Sequence, residues 1–246
     1  MIAIRPRGGL CNRLRTMLGF YNLALLRGEP LAVCWEVDEA CNGAFQDCFE
    51  PVSNTVFVSR GRFDSFMAGG DDISETFVGQ DDAKCVLLKR GLPSDLAVSY
   101  RQCFVPVVTL AVVINHLAQS YDLARGLGIH VRRTDHVAVA DDRVIGGHTK
   151  DTEFTAFLNA HGGYIYLATD NRATQESYIE RYEGRVVFNA ALSTEGKSLQ
   201  RCSTLEDATV DLFVLSRCGR FMGSRYSSFS DTVRFLATER PVEDVF

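Results

Sequence analysis

From Gly128 onward the chain alternates short apolar runs with segments of helical period, and this constrains the fold more than any other feature. Strands are expected at 128–133, 163–169, 185–189 and 219–223, with helices at about 152–160, 172–182, 204–217 and 228–238. Two helix starts carry capping-box patterns, Ser203-x-x-Glu206 and the weaker Asp variant Ser228-x-x-Asp231. Strands that alternate with helices imply a parallel sheet joined by right-handed crossovers.

The N-terminal part repeats the pattern less clearly. Ile2–Ile4 reads as a strand, Arg5-Pro6-Arg7-Gly8-Gly9 as a turn, and about Cys11 to Leu26 as a helix. That helix carries Leu14, Leu18, Tyr21 and Leu25 on one face and stops at Gly28-Glu29-Pro30. A strand is expected at Leu31–Val37. Residues 38–83 read as loops around short elements, because Gly69-Gly70, Asp71-Asp72 and Asp81-Asp82 interrupt them. Lys84–Lys89 has strand character, and Val107–Tyr121 that of a largely apolar helix. The fold class expected is α/β: two small Rossmann-like lobes with parallel sheets and a cleft between them. The lobes are taken as residues 1–115 and 116–246, with the boundary inside 104–124. A single continuous sheet is the alternative.

Bulk properties exclude several classes. A formal net charge of -5 argues against a nucleic-acid binder, whose footprint would be basic. The longest apolar run, Phe104 to Ile114, is too short to span a bilayer and contains Pro106. Met1-Ile2-Ala3-Ile4-Arg5 reads as a core strand rather than a secretory signal, so a cytoplasmic location is expected. The 8 cysteines form no C-x-x-C pair and are expected as reduced core thiols; a Cys41–Cys48 bridge is the alternative. The 5 histidines form no H-E-x-x-H or similar cluster, and no metal site is assigned.

Four strand ends or helix starts carry polar residues that a core would not require. Gly128-Ile129-His130-Val131 runs into Arg132-Arg133-Thr134-Asp135, and Tyr164–Thr169 ends at Asp170-Asn171. Phe221-Met222-Gly223 opens into Ser224-Arg225-Tyr226-Ser227-Ser228-Phe229, and Gly8-Gly9 leads to Asn12 at a helix start. Arginine is the fork-shaped, permanently charged donor suited to bidentate phosphate contacts. Strand ends are where open α/β sheets bind ligands, and helix starts offer free N–H groups to anions. A nucleotide-diphosphate site is therefore the leading reading. Each feature also has a structural explanation: surface ion pairs of the arginines with Asp135 or Asp141, helix caps at Asp170 and Ser227-Ser228, a tight turn at Gly8-Gly9. No G-x-S-x-G supports a serine nucleophile.

These stretches carry a family resemblance. Gly128–His136 resembles the first motif of the α1,6-fucosyltransferases, which act on N-glycan cores or rhizobial nodulation factors and belong with the protein O-fucosyltransferases. Tyr166-Leu167-Ala168-Thr169-Asp170 resembles the second motif. Asp211-Leu212-Phe213-Val214-Leu215-Ser216, followed by Phe221–Phe229 with its double serine, resembles the third. Gly8-Gly9-Leu10-Cys11-Asn12-Arg13-Leu14-Arg15 resembles the glycine-rich N-terminal segment, with Asn12 at its asparagine position.

The resemblance implies a two-lobed enzyme of the GT-B type that takes GDP-β-L-fucose, inverts at the anomeric carbon and needs no metal or other cofactor. Absence of an Asp-x-Asp triplet is compatible with that. Arg132 would meet the β-phosphate, helped by His130, Arg133 and the helix start at Ser227, Ser228 and Phe229. By resemblance Asp211 would contact guanine and Asp170 would help hold the donor. Gly9 and Asn12 would line the substrate site from the N-terminal, acceptor-side lobe. The partners implied are a nucleotide sugar and a glycan acceptor. Family members that work in the Golgi are membrane-anchored, so a trimmed Golgi form is the alternative location. The chain departs from the family after the double arginine: a glutamate expected as general base is replaced by alanine within His136-Val137-Ala138-Val139-Ala140, and His136 stands for a lysine. Asp141 or Asp142 is the substitute base; both are equally readable as ordinary loop acids. The same fold with another GDP- or UDP-linked sugar, and an inactive glycan- or nucleotide-binding relative, are the competing readings.

Overall fold

A computed structural model describes residues 1–69, 72–80, 98–133, 147–192 and 203–239. The chain forms two compact units, Met1–Val107 and Val108–Phe246. Among the described residues the strands form two separate four-stranded parallel sheets rather than one continuous sheet.

In the first unit, β1 (Ile2–Pro6) pairs with β2 (Leu31–Val33) on one side and β4 (Glu75–Gly79) on the other, and β2 pairs with β3 (Thr55–Phe57). The buried residues of β1 alternate between two faces, as a strand buried on both sides requires. Ile4 lies beside Phe77 in register, and Phe77 packs on Phe20 of helix α1 (Leu10–Arg27) with ring centroids 4.8 Å apart. On the opposite face Ala3, Ala32 and Cys34 meet Phe63 and Phe66 of α2 (Arg60–Met67). The short helix α3 (Tyr100–Cys103) follows within this unit.

The second unit repeats the order. β5 (Leu127–Val131) lies between β6 (Ile165–Thr169) and β8 (Arg220–Gly223), with β7 (Val186–Val187) outside β6. Leu127, Ile129 and Val131 face Phe154 and Leu158 of α5 (Asp151–Asn159), Tyr178 of α6 (Arg172–Arg181) and Tyr182, the C-cap of α6. The other face meets α7 (Leu205–Leu215), which packs on α4 (Val108–Ser120) and on α8 (Ser228–Thr238).

Two expected caps are displaced by one residue. The box at the start of α7 is formed by Thr204 and Asp207, not Ser203 and Glu206. The N-cap of α8 is Ser227, whose Oγ accepts from Ser230 N, so Ser228 is already helical. The strand expected at 31–37 ends at Val33, and the chain then turns through Trp35 and Glu36. The strand expected at Lys84–Lys89 lies outside the described residues. Cys11, Cys34, Cys41, Cys48, Cys103 and Cys218 are buried and form no disulfide with one another. No helix among the described residues is long and apolar enough to cross a membrane.

Candidate functional site

In the second unit the strand order reverses between β5 and β8, and ligands of open α/β sheets bind outside the carboxyl ends at such a point. The sequence places Arg132 and Ser224 just past those ends. Ser224 is buried and fastens them together: its N–H donates to His130 O at 3.0 Å, and its Oγ accepts from Arg132 N at 2.9 Å. The backbone that presents Arg132 is thereby fixed. Its guanidinium is partly exposed, with Nε 3.7 Å from Asp170 Oδ2, an ion pair too long to be a hydrogen bond.

Asp170 does not cap α6; Asn171 does, accepting from Thr174 N at 2.9 Å. Instead Asp170 Oδ1 accepts from Arg133 N at 2.8 Å, which ties the end of β6 to the end of β5. The two arginines then diverge. Arg133 donates to Thr149 O at 3.0 Å, pairs with Asp151 and stacks 5.7 Å over Phe154. Its charge is directed to the start of α5, while Arg132 remains at the switch point.

The start of α8 completes this edge. Tyr226 turns the chain sharply with φ 57°, a left-handed conformation uncommon for a residue with a side chain. Ser227 caps, Ser228 opens the helix, and the Phe229 ring lies 4.5 Å from the imidazole of His130. His130 is buried, with Nδ1 2.8 Å from Ser230 Oγ. Gly223 permits this packing, since a Cβ there would overlap both side-chain atoms of Ser230. Thus Arg132, Asp170, His130 and Ser227–Phe229 all gather at one edge of one unit. The helix dipole and first-turn N–H groups of α8 add positive character there.

Asp211 lies one pocket further along the same unit. The pocket is lined by Thr169, Asn189, Asp207 and Asp211 among others, at the ends of β6 and β7. Asp211 Oδ1 accepts from the OH of fully buried Tyr166 at 2.7 Å. Burial pushes the Asp211 carboxyl up to about 7; the Tyr166 bond pulls it down and the negative Asp207 pushes it up further. Asn189 Nδ2 donates to Asp207 Oδ1 at 2.9 Å, and Gln175 clamps the adjoining loop through Ala190 O and Leu192 N. The sequence reading missed Asn189, Asp207 and Gln175. Asn189 ends the apolar run expected as a strand at 185–189, and Asp207 precedes Asp211 by one helical turn, so both positions carried a usable signal.

The remaining candidates fall elsewhere. Gly9 is the N-cap of α1 in the first unit, and Asn12 Oδ1 accepts from Arg15 NH2 at 2.9 Å. Gly8, at φ 79°, takes a turn where a Cβ would overlap the Gln80 side chain. Asp141, Asp142 and His136 lie outside the described residues. Also missed was an arginine cluster at the end of the first sheet. Arg13, fully buried, donates to Gly8 O at 2.7 Å, to Asp38 Oδ2 at 2.6 Å and to the Glu36 carbonyl. Arg5 and Arg7 reach Glu36 Oε2 at 2.7 and 2.9 Å, and Arg60 reaches Oε1 at 3.2 Å.

No protein-family model matches the sequence, and no curated protein matches it significantly. Solved structures do match. NodZ α-1,6-fucosyltransferase co-crystallised with GDP aligns over 96% of this chain and 92% of its own, at 15% identity and a TM-score of 0.60. Fucosyltransferase NodZ from Bradyrhizobium aligns over 96% and 93%, at 14% identity and a TM-score of 0.57. POFUT1 in complex with GDP-fucose aligns over 96% and 93%, at 13% identity and a TM-score of 0.55. The chain has the fold of these fucosyltransferases. The α/β class read from the sequence is borne out, and the group the short motifs resemble is the one that the shape meets.

Proposed function

We propose that the protein is a glycosyltransferase that moves L-fucose from GDP-β-L-fucose to a hydroxyl of a glycan acceptor, with inversion and without a metal ion. The observation that carries this is Arg132, held by Ser224 at the switch point beside the start of α8. Structures of the same fold were obtained with GDP or GDP-fucose. In this reading the second unit takes the nucleotide sugar. The acceptor oxygen forms a bond to the anomeric carbon as the bond from that carbon to the β-phosphate oxygen breaks. Negative charge then grows on GDP, where a preorganised guanidinium and helix-start N–H groups stabilise it most. The acceptor proton passes to a carboxylate, for which Asp141 is assigned. Asp211, once ionised, accepts from the N–H groups of guanine, and Asp170 steadies Arg132.

Thermal-shift titration with GDP and UDP tests the donor, with GDP expected to raise the melting temperature and UDP not. A preference for UDP would redirect the assignment to another sugar nucleotide. The alanine at the expected base position favours a second reading, an inactive binding relative. GDP binding without transfer or slow hydrolysis of GDP-fucose would establish that second reading instead.

A further inference from the structure

We propose that Thr149 is a positioning residue. Its hydroxyl and its carbonyl join the turn that opens α8 to the arginine pair at the end of β5, and so set where the helix-start N–H groups stand relative to Arg132. This rests on the reading of that edge as the phosphate end of a nucleotide site, but the join itself follows from geometry.

Thr149 is 2% exposed and directly precedes Lys150, the N-cap of α5. Its Oγ1 accepts from Arg225 N at 2.8 Å, and its carbonyl accepts from Arg133 NH1 at 3.0 Å. Both are ordinary lengths for an N–H donating to oxygen. One donor follows β8 and the other follows β5. Arg133 N in turn donates to Asp170 Oδ1 at 2.8 Å, and Asp170 is the acid paired with Arg132. One buried residue therefore touches both the turn before α8 and the contacts that steadies Arg132 shares with its neighbours.

The turn before α8 needs such an anchor. Ser224 is held to β5 through His130 O and Arg132 N, and Ser227 caps the helix. Between them Tyr226 takes φ 57°, a conformation that persists where neighbouring contacts over-determine it. Arg225 supplies such contacts at two points on one element. Its N–H meets Thr149, and its guanidinium donates to Glu153 Oε2, in the first turn of α5, at 3.2 Å. Glu153 is itself fixed, accepting from Lys150 N at 2.9 Å. The first N–H groups of α8 have no partner within their own helix, so their direction follows the turn. Because hydrogen bonds weaken steeply with angle, a tilt there would cost phosphate contacts and leave the base end, at β6 and β7, as it was.

The test compares GDP with guanosine, which lacks the phosphates, on the full-length protein. Thr149→Val keeps the shape of the side chain and removes the acceptor. It should bind GDP about ten-fold more weakly, the scale of one lost hydrogen bond, and bind guanosine as the wild type does. Thr149→Ser, which keeps the hydroxyl, should restore the GDP affinity. Unchanged GDP affinity in a folded Thr149→Val would overturn the proposal, as would an equal loss for guanosine or a serine variant as weak as the valine one. If Thr149→Val does not fold, amide exchange of the wild type decides. Arg225 N–H is expected to be protected and to slow further with GDP but not with guanosine; a rate that GDP leaves unchanged would overturn the proposal. A wild type that binds neither ligand would sink the nucleotide reading. Loss of Arg225 protection in Thr149→Val would then leave the anchor standing, and its retention would remove that too.

Discussion

The two units share one strand order, yet their carboxyl edges handle arginine in opposite ways. At the end of the first sheet, Arg13 is wholly buried and its bonds are short, to Gly8 O and Asp38. Arg5, Arg7 and Arg60 converge on one carboxylate, Glu36. At the end of the second sheet, the Arg132 guanidinium is partly exposed and lies 3.7 Å from Asp170, and its backbone is fastened by Ser224. A guanidinium closely matched by protein acceptors works as a structural clamp. The partly exposed guanidinium of Arg132, on a backbone fastened by Ser224, is the one that the proposed reading gives to the donor phosphate. Arginine count and strand-end position do not separate the two; burial does.

The contrast breaks most sharply under alanine substitution. Arg132→Ala should lower kcat/KM for fucosyl transfer by about 1,000-fold, the scale of removing a transition-state donor, about 4 kcal/mol. Its melting temperature should stay near that of the wild type. Arg13→Ala should do the reverse, costing about 3 kcal/mol of stability because it empties a fully buried position, strands its acceptors Gly8 O and Asp38, and removes the guanidinium 5.3 Å over Trp35. Activity per folded molecule should change little. Should Arg132→Ala unfold the protein, or keep full turnover, the division between clamp and binder would be void.

Arg133 sharpens the same comparison inside one unit. Its side chain bonds to Thr149 O and pairs with Asp151, as that of Arg13 bonds to Gly8 O and pairs with Asp38. Arg133→Ala should therefore cost about 1–2 kcal/mol of stability, in the range for a lost charge-assisted hydrogen bond. Transfer should fall about ten-fold, through loosening of Asp170. A fall as deep as that of Arg132→Ala would place Arg133 on the phosphate as well. Paired thermal melts and initial rates on the two variants separate these outcomes.

Much of the second unit was legible because its strands are buried on both faces and its helices are long enough to show their period. Strand and helix bounds there differ from expectation by at most a few residues. The first unit was harder to read. β3 has only three residues, β4 alternates exposed and half-buried positions, and α2 lies among glycines and aspartates that read as loop. Neither capping box could be set to the residue, since Ser203 and Thr204 both precede an acid by three. The split between Arg132 and Arg133 was within reach: alternation puts Arg133 with Val131 and Ile129 toward α5, and Arg132 with His130. What sequence could not supply was the partners, Thr149 and Asp151, which lie 16 and 18 residues further along.

The two units also differ in what they do to a carboxylate, and pH exposes it. Desolvation raises Glu36, but the hydrogen bonds of Arg5 and Arg60 prevail and hold it below the usual range. Its contribution to stability is present above the ordinary glutamate range and is lost as the solution is acidified through the lowered value. Asp211 has the opposite sign: desolvation pushes it up to about 7 from the ordinary 3.8 of an aspartate. Its favourable contribution is complete below about 4 and disappears as pH rises through about 7. Asp211→Asn should therefore match the wild type in stability at low pH and exceed it by on the order of 2 kcal/mol at pH 8. The amide still accepts from Tyr166 and no longer repels Asp207. If Asp211 is the guanine contact, the same variant should bind GDP at least ten-fold more weakly, because an amide oxygen accepts less strongly than a carboxylate. A variant that is both more stable at pH 8 and poorer at GDP is the signature of a charge kept for binding at the expense of folding. Denaturant melts from pH 4 to 8, with GDP titrations alongside, read both. Greater stability with GDP affinity intact would return Asp211 to the ordinary helix surface.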